Sequence, residues 1–202
     1  MKISLTGAVL AGGRSSRMGS DKALLQWKGK PFVGHTADIL SEVCLQVVII
    51  GDKTERFSDL SYSCFEDIIP SAGPLGGIHS ALTHSTIDHV LVCACDLPLI
   101  SAGVLESLVG QRSKDSEITI ARYNDVTQPL LGIYERRCLS KLSDFLEKGG
   151  RKVREFLKQC RTETVDLQSL IPGLSEDILL NVNTVEDYRR IKAEKANSKR
   201  QE

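Results

Sequence analysis

The sequence predicts an α/β fold built on an open, mostly parallel, doubly wound sheet in three α/β/α layers. Two patterns predict it: apolar β-branched segments recur along the chain, and segments with helical spacing of apolar residues alternate with them. Strands that are apolar without interruption are typical of parallel sheets covered by helices on both faces. A length of 202 residues, with 41% hydrophobic and 26% charged residues, suits a globular chain that forms its own core.

The first half of the chain alternates regularly between the two patterns. Strands are predicted at residues 3–10, 47–50, 63–65 and 89–95, and helices at 33–43 and 74–83, the second with Pro74 at its first position. The first segment faintly resembles a signal peptide, but Ser4, Thr6 and Gly7 interrupt its apolar run, so we interpret it as a strand. No apolar run approaches the roughly 18 residues of a membrane span, which predicts a soluble protein.

The second half continues the alternation. We predict a helix after Ser101, strands at 118–121 and 130–133, helices at 139–147 and 152–157, and a last helix at 185–195 with Thr184 as its N-cap. Residues 1–193 are expected to form a single domain. The remaining residues, 194–202, are polar and charged, so we expect them to be a disordered tail.

Charge and cysteine content narrow the possible classes of protein. Lys and Arg number 26 and Asp and Glu number 26, so no net field attracts the chain to nucleic acids or anionic membranes. Six cysteines are sparse over this length, which favours reduced thiols in a cytoplasmic protein. Cys93 and Cys95 share one face of a strand and would suit a soft metal, but no histidine lies at a recognised ligand spacing, so buried core thiols are favoured.

Chemistry is predicted where the strands end. Ligands of open parallel sheets bind outside the carboxyl ends of the strands, and Gly12, Asp67 and Asp96 follow three predicted strands. The loop after the first strand is rich in Gly and Ser, so its N–H groups and cations would surround a polyphosphate. Its cations are Arg14, Arg17 and Lys22. The loop matches neither the P-loop nor the Gly-x-Gly-x-x-Gly pattern, which disfavours a nicotinamide enzyme.

Asp96 strengthens this prediction. It follows a run of apolar and small residues and precedes the turn Leu97-Pro98, which leaves a carboxylate at the mouth of the sheet, where Mg²⁺ would bind. The alternative role is to cap the next helix, for which Ser101 is better placed.

Residues 10–25, LAGGRSSRMGSDKALL, resemble the signature loop of the molybdenum cofactor guanylyltransferases, a family within the broader nucleotidyltransferase fold. The likeness covers nearly the whole chain apart from the tail. It continues in family order with Gly29-Lys30-Pro31, Glu66-Asp67, Gly73-Pro74-Leu75-Gly76-Gly77, Cys95-Asp96-Leu97-Pro98, Gln128-Pro129 and Asn181-Val182-Asn183-Thr184.

The resemblance implies Mg²⁺-dependent transfer of GMP from GTP to the terminal phosphate of molybdenum-bound molybdopterin, with release of pyrophosphate. Because a phosphate monoester with a second pKa of about 6 is already anionic at neutral pH, no general base is expected. The resemblance also implies the site: nucleotide contacts for Leu10, Ala11, Gly12, Gly13, Lys22, Asp67 and Asp96, catalytic roles for Arg17, Lys22 and Asp96, and Mg²⁺ binding for Asp96.

Two further groups are candidates for the second substrate. Asn181 and Asn183 alternate along an extended segment and share a face, which the resemblance places near that substrate; bracing of the last helix is the alternative. Arg151, Lys152 and Arg154 would suit the molybdopterin phosphate, and a solvated helix face is the alternative.

The choice of base depends on two short segments. Ile50-Gly51-Asp52 stands where many relatives have an Asn that contacts the base or ribose. Related cytidylyltransferases have Ala-Ala-Gly where this chain has Ala11-Gly12-Gly13, and the additional space favours guanine. The alternatives are a cytidylyltransferase on the same cofactor, an NTP:sugar-phosphate nucleotidyltransferase, and a binding module without turnover. Transient contact with cofactor-delivery proteins or molybdoenzymes is expected, and contact with nucleic acid or membrane is not.

Overall fold

The structure is a computed structural model that describes residues 2–12 and 21–198. A central sheet contains seven strands: β1 (Ile3–Leu10), β4 (Cys44–Gly51), β5 (Ser63–Glu66), β6 (His89–Ala94), β7 (Ile118–Tyr123), β8 (Val126–Glu135) and β9 (Thr162–Asp166). Two short strands, β2 (Gln26–Trp27) and β3 (Lys30–Pro31), pair separately. The order across the main sheet is β5-β4-β1-β6-β8-β7-β9.

Six of the seven strands run in one direction. β1 pairs in parallel with β4 and β6, β4 with β5, and β7 with β9, whereas β8 is antiparallel to both of its neighbours. The reversal begins at a tight turn in which Asn124 and Asp125 have φ values of 46° and 60°. Two consecutive residues with positive φ are typical of the turn that joins antiparallel strands. The predicted mostly parallel sheet is therefore confirmed, with one reversed strand.

Helices cover both faces of the sheet. They are α1 (Phe32–Val43), α2 (Pro74–His84), α3 (Ala102–Gly110), α4 (Leu139–Glu147), α5 (Val153–Leu157), α6 (Leu167–Leu170) and α7 (Val185–Ser198). Side chains of β1 alternate between two apolar clusters, since Leu5 and Val9 pack in the cluster with α1 and α3, whereas Ala8 and Leu10 pack in the cluster with α2 and α4. This alternation produces the predicted three α/β/α layers.

The observed elements depart from the predicted ones near the end of the chain. β9 and α6 were not predicted, because β9 is partly exposed along its length and has no apolar run to indicate it. The last helix is longer than predicted, since α7 spans Val185–Ser198 instead of residues 185–195, and the disordered tail stays a prediction. Its predicted cap is confirmed, since the backbone N–H of Asp187 donates to Oγ1 of Thr184 at 3.1 Å.

The cysteines are free thiols, and four of the six are buried. Burial raises the pKa of Cys95 to about 12 and raises that of Cys93 further, so both are protonated at neutral pH. Within residues 2–12 and 21–198, no three His, Cys, Asp or Glu side chains are grouped so that they could hold a metal ion. Cys93 and Cys95 are both buried in the apolar cluster between the sheet and α1 and α3, which is the core position favoured from the sequence. No helix in the described ranges is long and apolar enough to cross a membrane.

Candidate active site

A cleft of about 630 Å³ lies beyond the carboxyl ends of β1, β4, β5 and β6. Each of these strands contributes residues at or just past its end: Leu10 and Gly12, Ile50 and Asp52, Glu66 and Asp67, and Ala94, Cys95 and Asp96. The start of α2 adds Gly73, its N-cap, and Pro74, its first residue, and β8 adds Leu130. The cleft occupies the position at which an open parallel sheet binds its ligands, as the sequence predicted.

Backbone hydrogen bonds hold the strand exits in register at the cleft. The N–H of Ala11 donates to the carbonyl of Ile50 at 2.8 Å, and the N–H of Cys95 donates to the carbonyl of Leu10 at 3.2 Å. These bonds continue the ladders of β1 past its last residue on both sides. The residues that follow, Gly12 and Asp96, both line the cleft at the mouth of the sheet.

Lys22 joins two parts of this cleft that are far apart in sequence. Its Nζ lies 2.6 Å from Oδ2 of Asp96 and donates to Oδ1 of Asn183 at 2.7 Å. Asn183 reaches the site because the N–H of Val182 donates to the carbonyl of Asp96 at 3.0 Å, which pairs its segment with the exit of β6. Lys22 itself begins a 3₁₀ turn, Lys22–Leu24, which Asp21 caps by accepting from the N–H of Ala23 at 3.1 Å. One ammonium group therefore bridges a carboxylate and an amide inside the cleft.

Asp96 has the free acceptor capacity that a bound cation requires. Its side chain and that of Lys22 are each 18% exposed, and Oδ2 carries the ion pair. Its other oxygen, Oδ1, is buried and has no hydrogen-bond partner among residues 2–12 and 21–198. A buried oxygen without a donor is costly unless a ligand satisfies it. Because this oxygen is of the type that Mg²⁺ prefers, the residue fits a magnesium ligand, with phosphate oxygens or water in the remaining positions.

Asp67 is the second carboxylate with an unpartnered buried oxygen. It lies between two backbones that lack side chains: a Cβ on Gly12 would stand 3.5 Å from Oδ2, and one on Gly77 would stand 3.7 Å from Oδ1. Oδ1 is buried, no described residue hydrogen bonds to it, and burial raises the pKa of the carboxyl group. The two glycines thus leave open space around a carboxylate that is poorly satisfied when no ligand is bound.

Asp67→Asn is expected to raise the melting temperature at neutral pH by roughly 1–3 °C. The folded-state pKa lies above the ordinary value of 3.8, so the folded state binds more protons than the unfolded state between the two values, and stability falls as pH rises through this window. Asparagine removes that loss, and its advantage should disappear as the pH is lowered toward 4. Thermal melts from pH 4 to 8 measure both effects. Asp115→Asn, at an exposed aspartate away from the cleft, is the matched control, and a lower melting temperature for Asp67→Asn at pH 7 would contradict the prediction.

Known proteins are similar to this chain in sequence and in fold. Residues 7–165 match the family model described as a MobA-like NTP transferase domain. The chain belongs to this family. It is 32% identical over 188 residues to a probable molybdenum cofactor guanylyltransferase of Carboxydothermus hydrogenoformans, which covers 93% of this chain and 94% of the relative. It is 34% identical over 181 residues to the molybdenum cofactor guanylyltransferase of Vibrio parahaemolyticus. That match covers 89% of this chain and 90% of the relative.

A solved structure supports the same family assignment. The crystal structure of molybdopterin-guanine dinucleotide biosynthesis protein A from Archaeoglobus fulgidus superimposes with a TM-score of 0.80 at 26% identity. The match covers 96% of this chain and 99% of that one. The protein is accordingly a nucleotidyltransferase of the α/β fold that the sequence predicted.

The structure of this transferase brings most of the predicted site residues together. Leu10, Gly12, Lys22, Asp67 and Asp96 line the cleft, and Asn183 contacts Lys22. Ala11 is buried at the exit of β1, and Asn181 makes no side-chain hydrogen bond to any described residue. Gly13, Arg14 and Arg17 lie outside the described residues. Asp96 does not cap α3; Ser101 stands at that N-cap position, without a side-chain hydrogen bond.

The basic cluster of the transferase has local partners. Arg151 donates to the backbone carbonyls of Leu146 and Gly150, and Lys152 pairs with Glu155 at 2.9 Å. No member of the cluster is among the described residues that line the cleft. Its role toward a second substrate stays a prediction.

Arg56 and Asp52 belong to the neighbourhood of the cleft and were not among the predicted site residues of the transferase. Asp52 lines the cleft, and Arg56 hydrogen bonds both to it and to Asp21. Asp52 had two signals in the sequence: it closely follows a predicted strand, and Ile50-Gly51-Asp52 stands where many relatives have an Asn that contacts the base or ribose. Arg56 had no such signal. The contact with Asp21 had no counterpart in the sequence pattern.

Proposed function

We propose that this protein transfers GMP from GTP to the terminal phosphate of molybdenum-bound molybdopterin, releasing pyrophosphate, and that it does so in the cytoplasm. The observation that carries the proposal is the contact of Lys22 with both Asp96 and Asn183, at 2.6 and 2.7 Å. A cation at this position lies between the end of β6 and the segment before α7, where a nucleotide and an acceptor would meet. The names of the relatives at 32% and 34% identity support the same reaction.

For this reaction the protein must position the acceptor phosphate against GTP and neutralise the negative charge of the phosphates. An oxygen of the acceptor phosphate forms a bond to the α-phosphorus of GTP, and the bond from that phosphorus to the bridging oxygen of pyrophosphate breaks. The attacking oxygen is already ionised, so no side chain needs to remove a proton. Two anions must instead be held in line against their repulsion, and negative charge on the leaving pyrophosphate must be balanced. We assign this work to Lys22 and, from the family resemblance, to Arg17.

Asp96 is the residue that would hold Mg²⁺, through the oxygen Oδ1 that lacks a partner. When bound, Mg²⁺ supplies positive charge to phosphate oxygens. Lys22 already neutralises the other oxygen of Asp96, so the carboxylate is oriented before any ligand enters. Asn183 also accepts a hydrogen bond from Lys22, and Asn181 is proposed to face the second substrate.

The base and ribose are proposed to lie along the exit of β1. Leu10, Ala11, Gly12 and Gly13 would approach them through the backbone, and Asp67 would accept hydrogen bonds from the nucleotide. The raised pKa of Asp67 and its unpartnered Oδ1 support this assignment, because a donor on the ligand would satisfy an oxygen that is otherwise buried without one. Cofactor-delivery proteins and molybdoenzymes are proposed as transient partners.

The experiment that tests the proposal is pyrophosphate release by the purified protein with Mg²⁺. Parallel reactions contain GTP or CTP, each with molybdenum-bound molybdopterin, with a sugar phosphate, or with no acceptor. Release that requires GTP and molybdopterin together is the expected result. Release with CTP would establish the cytidylyltransferase alternative, and release with a sugar phosphate would identify another acceptor. Nucleotide binding without release in any reaction would indicate a binding module.

Gly12→Ala is expected to raise the KM for GTP about tenfold while leaving the fold intact. The added Cβ would lie 3.5 Å from Oδ2 of Asp67, which is an ordinary van der Waals contact. The methyl group would therefore reduce the space for the nucleotide without disturbing the packing of the protein. A tenfold change corresponds to about 1.4 kcal/mol of lost binding. Steady-state kinetics with GTP and CTP measure the effect. The ratio of kcat/KM for GTP to kcat/KM for CTP should decrease.

Gly103→Ala is the matched control for this substitution. A Cβ at Gly103 meets nothing within 4 Å, and the residue lies in α3, where alanine favours the helix. Its KM for GTP should equal that of the wild-type protein, with an equal or slightly higher melting temperature. An unchanged KM for GTP in Gly12→Ala would show that guanine does not approach this backbone.

A further inference from the structure

Arg56 connects two loops at the edge of the cleft. It lies in the short 3₁₀ helix Thr54–Phe57 that follows β4, and its guanidinium donates from one nitrogen to Oδ1 of Asp52 and from the other to Oδ2 of Asp21. Asp52 comes from the exit of β4, whereas Asp21 is the N-cap of the 3₁₀ turn Lys22–Leu24. A planar guanidinium with two separate donors suits such a bridge, which a single ammonium cannot reproduce.

Asp21 transmits this contact to Lys22. Its second oxygen, Oδ1, accepts from the N–H of Ala23 at 3.1 Å and so caps the turn that Lys22 begins. The ammonium of Lys22 lies 2.6 Å from Asp96. The two oxygens of one carboxylate therefore serve different partners: Oδ2 anchors Asp21 to Arg56, and Oδ1 shapes the turn from which Lys22 extends into the cleft.

Arg56 is itself held against the sheet. Its side chain is 20% exposed, and its guanidinium carbon lies 4.9 Å from the centroid of the Phe57 ring. Phe57 is buried and packs so closely on β4 that a Cβ on Gly51 would stand 2.7 Å from its ring. An arginine anchored in this way loses little side-chain freedom when it pairs, in contrast to an ordinary surface ion pair.

We propose that Arg56 is a positioning residue, which orients Lys22 toward the phosphates of the nucleotide by fixing Asp21. The role of Arg56 in catalysis rests on the proposed function, whereas its coupling to the turn at Lys22 does not depend on which reaction the protein catalyses. Arg56 also balances the charge of Asp52, which lines the cleft with Asp67 and Asp96. Without Arg56, the triphosphate would face an additional uncompensated carboxylate.

The test compares Arg56→Met, Arg56→Lys, Asp21→Asn and the double variant of Arg56→Met with Asp21→Asn. Asparagine at position 21 keeps an oxygen for the N–H of Ala23 but loses the charge that pairs with Arg56. Hydrogen exchange at the amide of Ala23 reports the turn, and binding of Mg·GTP reports the cleft. In Arg56→Met we expect exchange at Ala23 to accelerate about tenfold and the affinity for Mg·GTP to fall about 10- to 100-fold. Arg56→Lys should recover only part of each loss, because one ammonium replaces a two-pronged donor.

The double variant distinguishes positioning from a general loss of structure. If Arg56 acts through Asp21, the double variant should bind Mg·GTP about as weakly as Arg56→Met alone, since the second change removes a contact already lost. Arg161→Met is the matched control: Arg161 is 67% exposed, its Nε lies 3.9 Å from Glu117, and it stands at the opposite edge of the sheet. In Arg161→Met, the rate of hydrogen exchange at the amide of Ala23 and the affinity for Mg·GTP should equal those of the wild-type protein.

The possible failures are separable. Wild-type exchange at Ala23 in Arg56→Met would overturn the proposal, as would independent, multiplicative losses in the double variant. Wild-type protein that binds Mg·GTP without releasing pyrophosphate would count against the proposed function alone, because exchange at Ala23 is measured without any reaction. Activity in Arg56→Met that falls through kcat or KM while the wild-type melting temperature is kept would support positioning over a structural role.

Discussion

Asp96→Asn is expected to reduce the rate of pyrophosphate release by at least about 100-fold. Asparagine has nearly the same shape, so the exit of β6 should be retained, but the side chain loses the negative charge that pairs with Lys22 at 2.6 Å. It also weakens the ligand that Oδ1, buried and without a partner, would offer to Mg²⁺. A single preorganised charge at a phosphoryl-transfer site carries this order of effect.

The measurement is kcat as a function of Mg²⁺ concentration, together with the melting temperature. The variant should need more Mg²⁺ for its residual activity, because a neutral amide is a poorer ligand than a carboxylate. Asp88→Asn is the control: Asp88 is exposed and immediately precedes β6, at the end of that strand opposite Asp96. Activity within a few-fold of wild type, with an unchanged Mg²⁺ dependence, would remove Asp96 from the site.

Lys22→Met is expected to lower kcat/KM for GTP by about 100- to 1,000-fold. Methionine keeps most of the apolar stem but removes the charge that contacts both Asp96 and Asn183. The phosphates would lose a cation that is held in place before binding, and Asp96 would lose its partner. Because the pair is only 18% exposed, some stability should be lost as well, about 1 kcal/mol or roughly 2–4 °C in melting temperature.

Two further variants make the Lys22 result interpretable. Lys22→Arg keeps the positive charge but changes the geometry of the donors, so it should recover part of the affinity for GTP and little of kcat. Lys114→Met removes an exposed lysine from the loop before β7 and should leave kinetics and stability at wild-type values. If Lys22→Met stays within about fivefold of wild type in kcat/KM, the bridge between Asp96 and Asn183 is structural and the proposed mechanism fails.

The sequence predicted the fold class because hydrophobic periodicity is a local property. A continuously apolar strand such as β6 is typical of a sheet that is covered by helices on both faces, whatever the rest of the chain does. The predicted bounds of α4 were correct for a similar reason: its apolar residues recur at helical spacing. The reversal of β8 was not foreseen, because an apolar run is equally compatible with either direction and a turn of Asn124 and Asp125 decided it.

The sequence likewise predicted one part of the candidate site, and only the tertiary structure decided the other. That Gly12, Asp67 and Asp96 would meet followed from sequence alone, since the carboxyl ends of parallel strands lie at one edge of a sheet. That Lys22 contacts Asn183 across 161 positions, and that Arg56 bridges Asp52 and Asp21, was decided only by tertiary packing. Strand pattern and strand order determine which backbones converge, whereas the partners of long flexible side chains depend on distances of a few ångströms that no local sequence pattern encodes.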